Sequence, residues 1–131
     1  MTRPIAVLVL DDNPLVSESV GAWLEDDGFD VHSASCGVEA MQLLAAFPID
    51  VALVDLKLPD MNGEKFILQV SSQYPQSRFL IHTGTHSYRI SLELQDLGLR
   101  DDDVVYKPVL SLEQLTELIR HKARRYVHNA K

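Results

Sequence analysis

Four apolar runs in this chain of 131 residues end on side chains capable of chemistry. IAVLVL runs into Asp11 and Asp12, DVALVD ends on Asp55, RFLIHT ends on Thr83, and DVVY leads into Lys107. If those ends meet, three carboxylates face one another, and their repulsion raises the pKa of at least one unless a cation is bound. Oxygen ligands with no Cys or His beside them fit Mg²⁺, or Mn²⁺ as a substitute, and Mg²⁺ usually keeps several waters and shares its shell with a phosphate. A carboxylate beside a hard cation, an ammonium and a hydroxyl is suited to accepting a phosphoryl group, a reaction that asks mainly for positioning and neutralisation of charge. On this reading Asp55 is the nucleophile, Mg²⁺ and Lys107 take the negative charge, and the Thr83 hydroxyl bonds a phosphoryl oxygen.

The elements that must position these residues follow from the pattern of the chain. The runs at 5–10, 29–34, 50–55, 78–83 and 103–106 are short, rich in Val, Ile and Leu, and bounded by turn residues, as strands are. The first and third are apolar almost throughout, which suits strands buried on both faces of a parallel sheet. Between them, Val16, Val20, Trp23 and Leu24 mark a helix with Gly28 at its C-terminal cap. Val38, Met41, Leu44 and Ala45 mark a second helix, and Phe66, Ile67, Val70 and Tyr74 a third, stopped by Pro75. Ile90, Leu94 and Leu97 predict a fourth, although Ile90, Leu92 and Leu94 also alternate like a strand. The last is capped by Ser111, with Leu112, Leu115, Ile119, Ala123 and Tyr126 on one face. Alternating strands and helices imply right-handed crossovers and a parallel sheet covered on both faces, with ligands bound beyond the carboxyl ends of the strands where the strand order reverses.

Bulk properties narrow the remaining functions. The length suits one domain, and 46% hydrophobic with 24% charged residues is the make-up of an ordinary globular protein. No run is long enough for a membrane helix, no secretory signal pattern opens the chain, and a cytoplasmic location is expected. The formal charge of -7 argues against direct nucleic-acid binding, and the basic HKARR stretch at 121–125 reads as a solvated helix end whose cations suit the helix dipole. The single Cys36 cannot form an internal disulfide, and His32, His82, His86, His121 and His128 lack metal-ligand spacing.

Taken together, LVLDDN, LVDLKLPDMNG, IHTG and YKPV resemble the receiver domain of two-component response regulators in order and spacing, over nearly the whole chain. The resemblance implies a flavodoxin-like (βα)5 doubly wound sheet in the order 2-1-3-4-5, and a single receiver domain over residues 1–131 with its core at about 4–127. It implies Asp12 as a direct Mg²⁺ ligand, Asp11 acting through water, Asp55 as ligand and phosphoacceptor, and the Lys57 backbone carbonyl as a further ligand. Pro59 and Gly63 would shape the loop after the phosphoacceptor, and the Lys107-Pro108 bond is similar to one that is often cis in the family. The implied partners are a sensor histidine kinase or phosphotransfer protein, met through helix one near Pro14 to Val20. A downstream protein target or a further output domain would be reached through helix four, strand five and helix five, about residues 86–126, with a second copy of the chain as an option for that surface.

The sequence departs from the family at the switch position. Members usually carry Tyr or Phe three residues before the Lys, where this chain has Val104, while Tyr106 stands on the same strand face. Lys57 and Thr85 occupy positions that tune the lifetime of the aspartyl phosphate in the family, Gly84 leaves the phosphate accessible, and the acid run at 101–103 is expected to be solvated. Three other functions fit the sequence less well. A Mg²⁺-dependent phosphohydrolase would place a second Asp where this chain has Lys57. An FMN-binding flavodoxin would bind phosphate after strand one, where Asp11 and Asp12 repel it. A receiver-like interaction module independent of phosphorylation would not need the acids, Thr83 and Lys107.

Overall fold

The computed structural model describes residues 3–129, with side chains as far as Ala123. Its elements alternate along the chain: β1 (Ala6–Leu10), α1 (Pro14–Asp26), β2 (Asp30–Ala34), α2 (Gly37–Ala46), β3 (Val51–Asp55), α3 (Gly63–Val70), β4 (Arg78–Thr83), α4 (Leu92–Asp96), β5 (Val104–Tyr106) and α5 (Leu112–Asn129). All strand pairs are parallel, and the order is β2-β1-β3-β4-β5. The expected sheet is therefore present, and its order reverses between β1 and β3. Among the described residues no helix is long and apolar enough to cross a membrane.

Alternation along the strands divides the core in two. Leu8, Leu10, Ala52, Val54 and Ile81 pack with α2, α3 and α4 on one face, while Val7, Val9, Val51, Leu53 and Leu80 pack with α1 and α5 on the other. Every residue of β1 and β3 is buried, as their unbroken apolar runs require. Each fully buried Leu or Ile contributes about 1.5–3 kcal/mol, so this double-sided burial makes the sheet the rigid floor of whatever stands on its edge.

Local chemistry sets the helix ends. The Asn13 side chain accepts the Leu15 N–H at 3.0 Å and Pro14 occupies the first turn, so α1 starts directly after the acid pair. It ends at Asp26 with Asp27 as its cap, and Gly28 just beyond, with a φ of 95°, carries the chain out while the Gly28 and Phe29 N–H groups bond the Glu25 and Leu24 carbonyls. Ser111 caps α5 as expected, its hydroxyl accepting the Gln114 N–H at 3.1 Å.

Several expectations need correction. In α2 the buried residues are Gly37, Ala40 and Leu44, whereas Val38 is 53% exposed and Ala45 is exposed, because small residues let that helix lie close to its neighbours. Helix α3 stops at Val70, ahead of Tyr74 and Pro75. Helix α4 has only five residues; Ile90 and Leu94 are buried, but Leu97 is exposed. Trp23 lies at the rim of the core, its indole N–H donating to the Thr116 hydroxyl at 3.0 Å. Asp103 is not solvated: it is buried, accepts the Arg100 N–H at 2.9 Å and pairs with Lys122 at 2.8 Å, so Lys122 is a buried partner rather than part of a solvated basic end. The side chains of Arg124, Arg125, Tyr126 and His128 lie outside the described residues.

Candidate functional site

At the carboxyl edge of the sheet, Asp11 follows β1, Asp55 is the last residue of β3, Thr83 is the last of β4, and Lys107 follows β5. The carboxylates of Asp11, Asp12 and Asp55 each offer an oxygen within 4.8 Å of the others. Their surroundings differ. Asp11 is buried and Asp12 exposed, so adjacent residues point one inward and one toward water. Asp11 accepts the Asn13 N–H at 2.9 Å through one oxygen and meets the Lys107 ammonium at 2.7 Å through the other. The same ammonium lies 3.3 Å from Asp55. The donor set, three carboxylates converging from two adjacent loops, has the hard-oxygen chemistry that suits Mg²⁺.

The charges of the cluster are mutually dependent. Burial pushes the Asp55 carboxyl above its ordinary range, Lys107 pulls it back in part, and Asp11 pushes it up again. For Lys107 burial works against the ammonium, but the bond and charge of Asp11, with the charge of Asp55, outweigh it and hold the amine above its usual value.

The loop after β3 is shaped around Asp55. The Lys57 N–H donates to an Asp55 oxygen at 3.3 Å, and the Lys57 side chain is exposed. The Lys57↔Asn62 bridge is closed by the Gly63 N–H on the Leu56 carbonyl at 2.8 Å, a bond that uses no oxygen of Lys57. A Cβ at Gly63 would lie 2.3 Å from the Asp55 carbonyl oxygen, so only glycine fits there. Asn62 then caps α3 by accepting the Glu64 N–H at 2.7 Å.

Thr83 is buried at the same edge, but its hydroxyl accepts the Thr85 N–H at 3.0 Å. The Lys107 N–H donates to the Thr83 carbonyl at 2.8 Å, and the Lys107-Pro108 bond is cis. Val104 packs against the core beneath α3 and α4. Tyr106 is half-buried, stacks on His86 with ring centroids 5.3 Å apart, and sends its hydroxyl toward the Tyr88 carbonyl at 3.5 Å. The edge thus brings together all the anticipated acids, the lysine and the threonine, while the Tyr106 side chain packs on the β4–α4 loop rather than on the acid cluster.

Three residues near the site were not anticipated. Asp60 accepts the Gly37 and Val38 N–H groups at 2.8 and 3.0 Å, capping α2 from the β3–α3 loop, and these bonds hold its carboxyl below the ordinary range. His82, beside Asp55 in the sheet register, is 2% exposed; burial, then Lys107, lowers its imidazole to about 4. Tyr88 donates its hydroxyl to Glu64 at the start of α3. His82 could have been noticed as an imidazole that follows three apolar residues in the strand run RFLIHT; the other two depend on partners distant in sequence.

Comparison with known proteins agrees with this geometry. The regulator of RpoS from Escherichia coli K12 is 28% identical over 122 residues, covering 91% of this chain and 36% of the relative. The chain thus spans about a third of the length of the first curated relatives it matches. A CheY-like receiver domain protein from Methanospirillum hungatei JF-1 is 25% identical with a TM-score of 0.80, covering 96% of this chain and 98% of that one. The response regulator TrrA from Thermotoga maritima, solved in complex with Mg²⁺-BeF, has a TM-score of 0.78 at 21% identity, covering 90% and 98%. Residues 7–120 match the response regulator receiver domain, and the chain belongs to that family, the receivers of two-component signalling.

Proposed function

We propose that the chain is a phosphoacceptor: Asp55 takes a phosphoryl group from the phosphohistidine of a sensor histidine kinase or phosphotransfer protein. An Asp55 oxygen attacks phosphorus, the phosphorus–nitrogen bond breaks, and the histidine nitrogen leaves with the bonding pair. The observation that carries this reading is the convergence of Asp11, Asp12 and Asp55 within 4.8 Å, with Lys107 at 2.7 and 3.3 Å. Asp12, Asp55 and the Lys57 carbonyl would hold Mg²⁺ directly and Asp11 through water, and the ion would supply charge neutralisation at the phosphoryl oxygens. The Mg²⁺-BeF complex of TrrA supports this choice of ion. Lys107 steadies the developing charge, and Thr83 turns its hydroxyl onto a phosphoryl oxygen.

We read residues 1–131 as one receiver domain acting in the cytoplasm, with α1 offered to the phosphodonor. The surface of α4, β5 and α5 is offered to a downstream target, an output domain or a second copy. Incubation with acetyl phosphate and Mg²⁺ tests the central step. A mass gain of one phosphoryl, lost in Asp55→Asn, is expected; no gain in the wild-type chain refutes phosphoacceptance and favours an interaction module that works without phosphate.

A further inference from the structure

The β4–α4 loop joins the Thr83 hydroxyl to two other elements through bonds that the acid cluster does not explain. Thr83 Oγ1 accepts the Thr85 N–H at 3.0 Å, and the Thr85 carbonyl accepts the Tyr88 N–H at 3.1 Å, so the three residues form one turn. From that turn Tyr88 donates its hydroxyl to the Glu64 carboxylate in the first turn of α3. Its carbonyl faces the Tyr106 hydroxyl at 3.5 Å, and His86 of the same loop stacks on the Tyr106 ring. Burial, with the adjacent Glu64 carboxylate, pushes the Tyr88 phenol well up, so it serves as a proton donor at neutral pH. A hydrogen bond to an ionised acceptor is among the stronger single contacts a loop can make.

A phosphoryl group on Asp55 would compete for Thr83. To bond it, the Thr83 side chain must turn from the loop toward β3, and the turn ending at Tyr88 either follows or gives up its link to Thr83. Following means leaving Glu64. A contact present in one arrangement and absent from the other biases the equilibrium by its full differential worth.

We propose that the Tyr88–Glu64 hydrogen bond is a latch that holds the β4–α4 loop and the Thr83 hydroxyl in the unphosphorylated arrangement. Tyr88, in place of a ring at position 104, then links Thr83 to β5. This rests on Asp55 being the phosphoacceptor.

The test is calorimetric titration of the full chain with beryllofluoride in excess Mg²⁺. Tyr88→Phe and Glu64→Ala are each expected to bind about tenfold tighter than wild type, the scale of one charged hydrogen bond. The double variant is expected to bind no tighter than either single one. Glu64→Gln, which keeps an acceptor oxygen but loses its charge, should fall between wild type and Glu64→Ala, and in a Thr83→Ala background Tyr88→Phe should change nothing. Wild-type-like binding by both single variants, additive effects in the double variant, or tightening that survives Thr83→Ala each overturn the latch. If the wild-type chain itself binds no beryllofluoride, the phosphoacceptor reading falls and takes the latch with it.

Discussion

Adding one methyl group at Gly63 should damage the site more than the same addition elsewhere in the chain. The new Cβ would lie 2.3 Å from the Asp55 carbonyl oxygen, 2.9 Å from Leu56 Cα and 3.0 Å from the Asp55 carbonyl carbon. Carbon and oxygen normally approach no closer than about 3.3 Å, so something must move by about 1 Å. Asp55 ends a strand held between β1 and β4, which leaves the β3–α3 loop to give way. That overpacking costs about 1–3 kcal/mol, and losing the Gly63 N–H bond to Leu56 adds about 1 kcal/mol. Because the obstructing atoms belong to Asp55 itself, a misplacement of about 1 Å should also slow phosphorylation roughly a hundredfold. Two controls grade the effect. At Gly37 the nearest atoms are the flexible end of Met61, at 2.4 and 2.6 Å, so Gly37→Ala should cost about 1 kcal/mol. At Gly84 nothing lies within 4 Å, and Gly84→Ala should leave stability within about 0.5 kcal/mol. Urea unfolding and the rate of phosphorylation by acetyl phosphate measure both quantities. A Gly63→Ala chain with wild-type stability and rate would refute the packing argument.

Two further predictions concern charge. Asp11→Ala should weaken Mg²⁺ binding by about tenfold, as removal of an outer partner does, and Asp12→Ala by distinctly more; equal losses by titration calorimetry would count against their separate roles. His82 is neutral when folded, its pKa lowered from 6.5 to about 4, so the unfolded chain takes up its proton first as the pH falls. Stability from this group is complete above 6.5 and falls by about 3 kcal/mol on the way down to about 4, a loss that His82→Leu should lack in urea titrations across that window.

The strands and the residues at their carboxyl ends were legible because burial on both faces leaves an unbroken apolar run, and such a run stops where the sheet meets solvent. Features that depend on meetings between distant segments were not. Nothing local to α2 shows that Asp60 caps it or that Met61 fills the space over Gly37, so periodicity points the large Val38 inward although the small Ala40 is the buried residue. The acid run at 101–103 looks solvated until α5 brings Lys122 against Asp103. Tyr88 and Glu64 are equally unremarkable alone, and only the β4–α4 loop lying beside α3 joins them. Periodicity reports the face an element shows to its own sheet; it carries no information about side chains that cross from one loop to another.

Charge balance explains why two adjacent acids are built so differently. Three carboxylates gather at this edge, and the Lys107 ammonium pairs with two of them, closer to Asp11, at 2.7 Å, than to Asp55, at 3.3 Å. Burial is the largest influence on Asp55 and favours its acid form, with Lys107 offsetting part of it. Only the carboxylate can attack phosphorus, and with Lys107 as the one cation both burial and Asp11 still push Asp55 toward its acid form. On the proposed reading a divalent ion at Asp12 and Asp55 supplies the remaining positive charge, and three negative charges are then matched by three positive ones. Asp12 can receive a hydrated ion because it is exposed, and Asp11 can anchor the lysine because it is buried. The repulsion implied by a pair of neighbouring acids is relieved by sending one to the ammonium and the other to the solvent side, from which the metal would arrive.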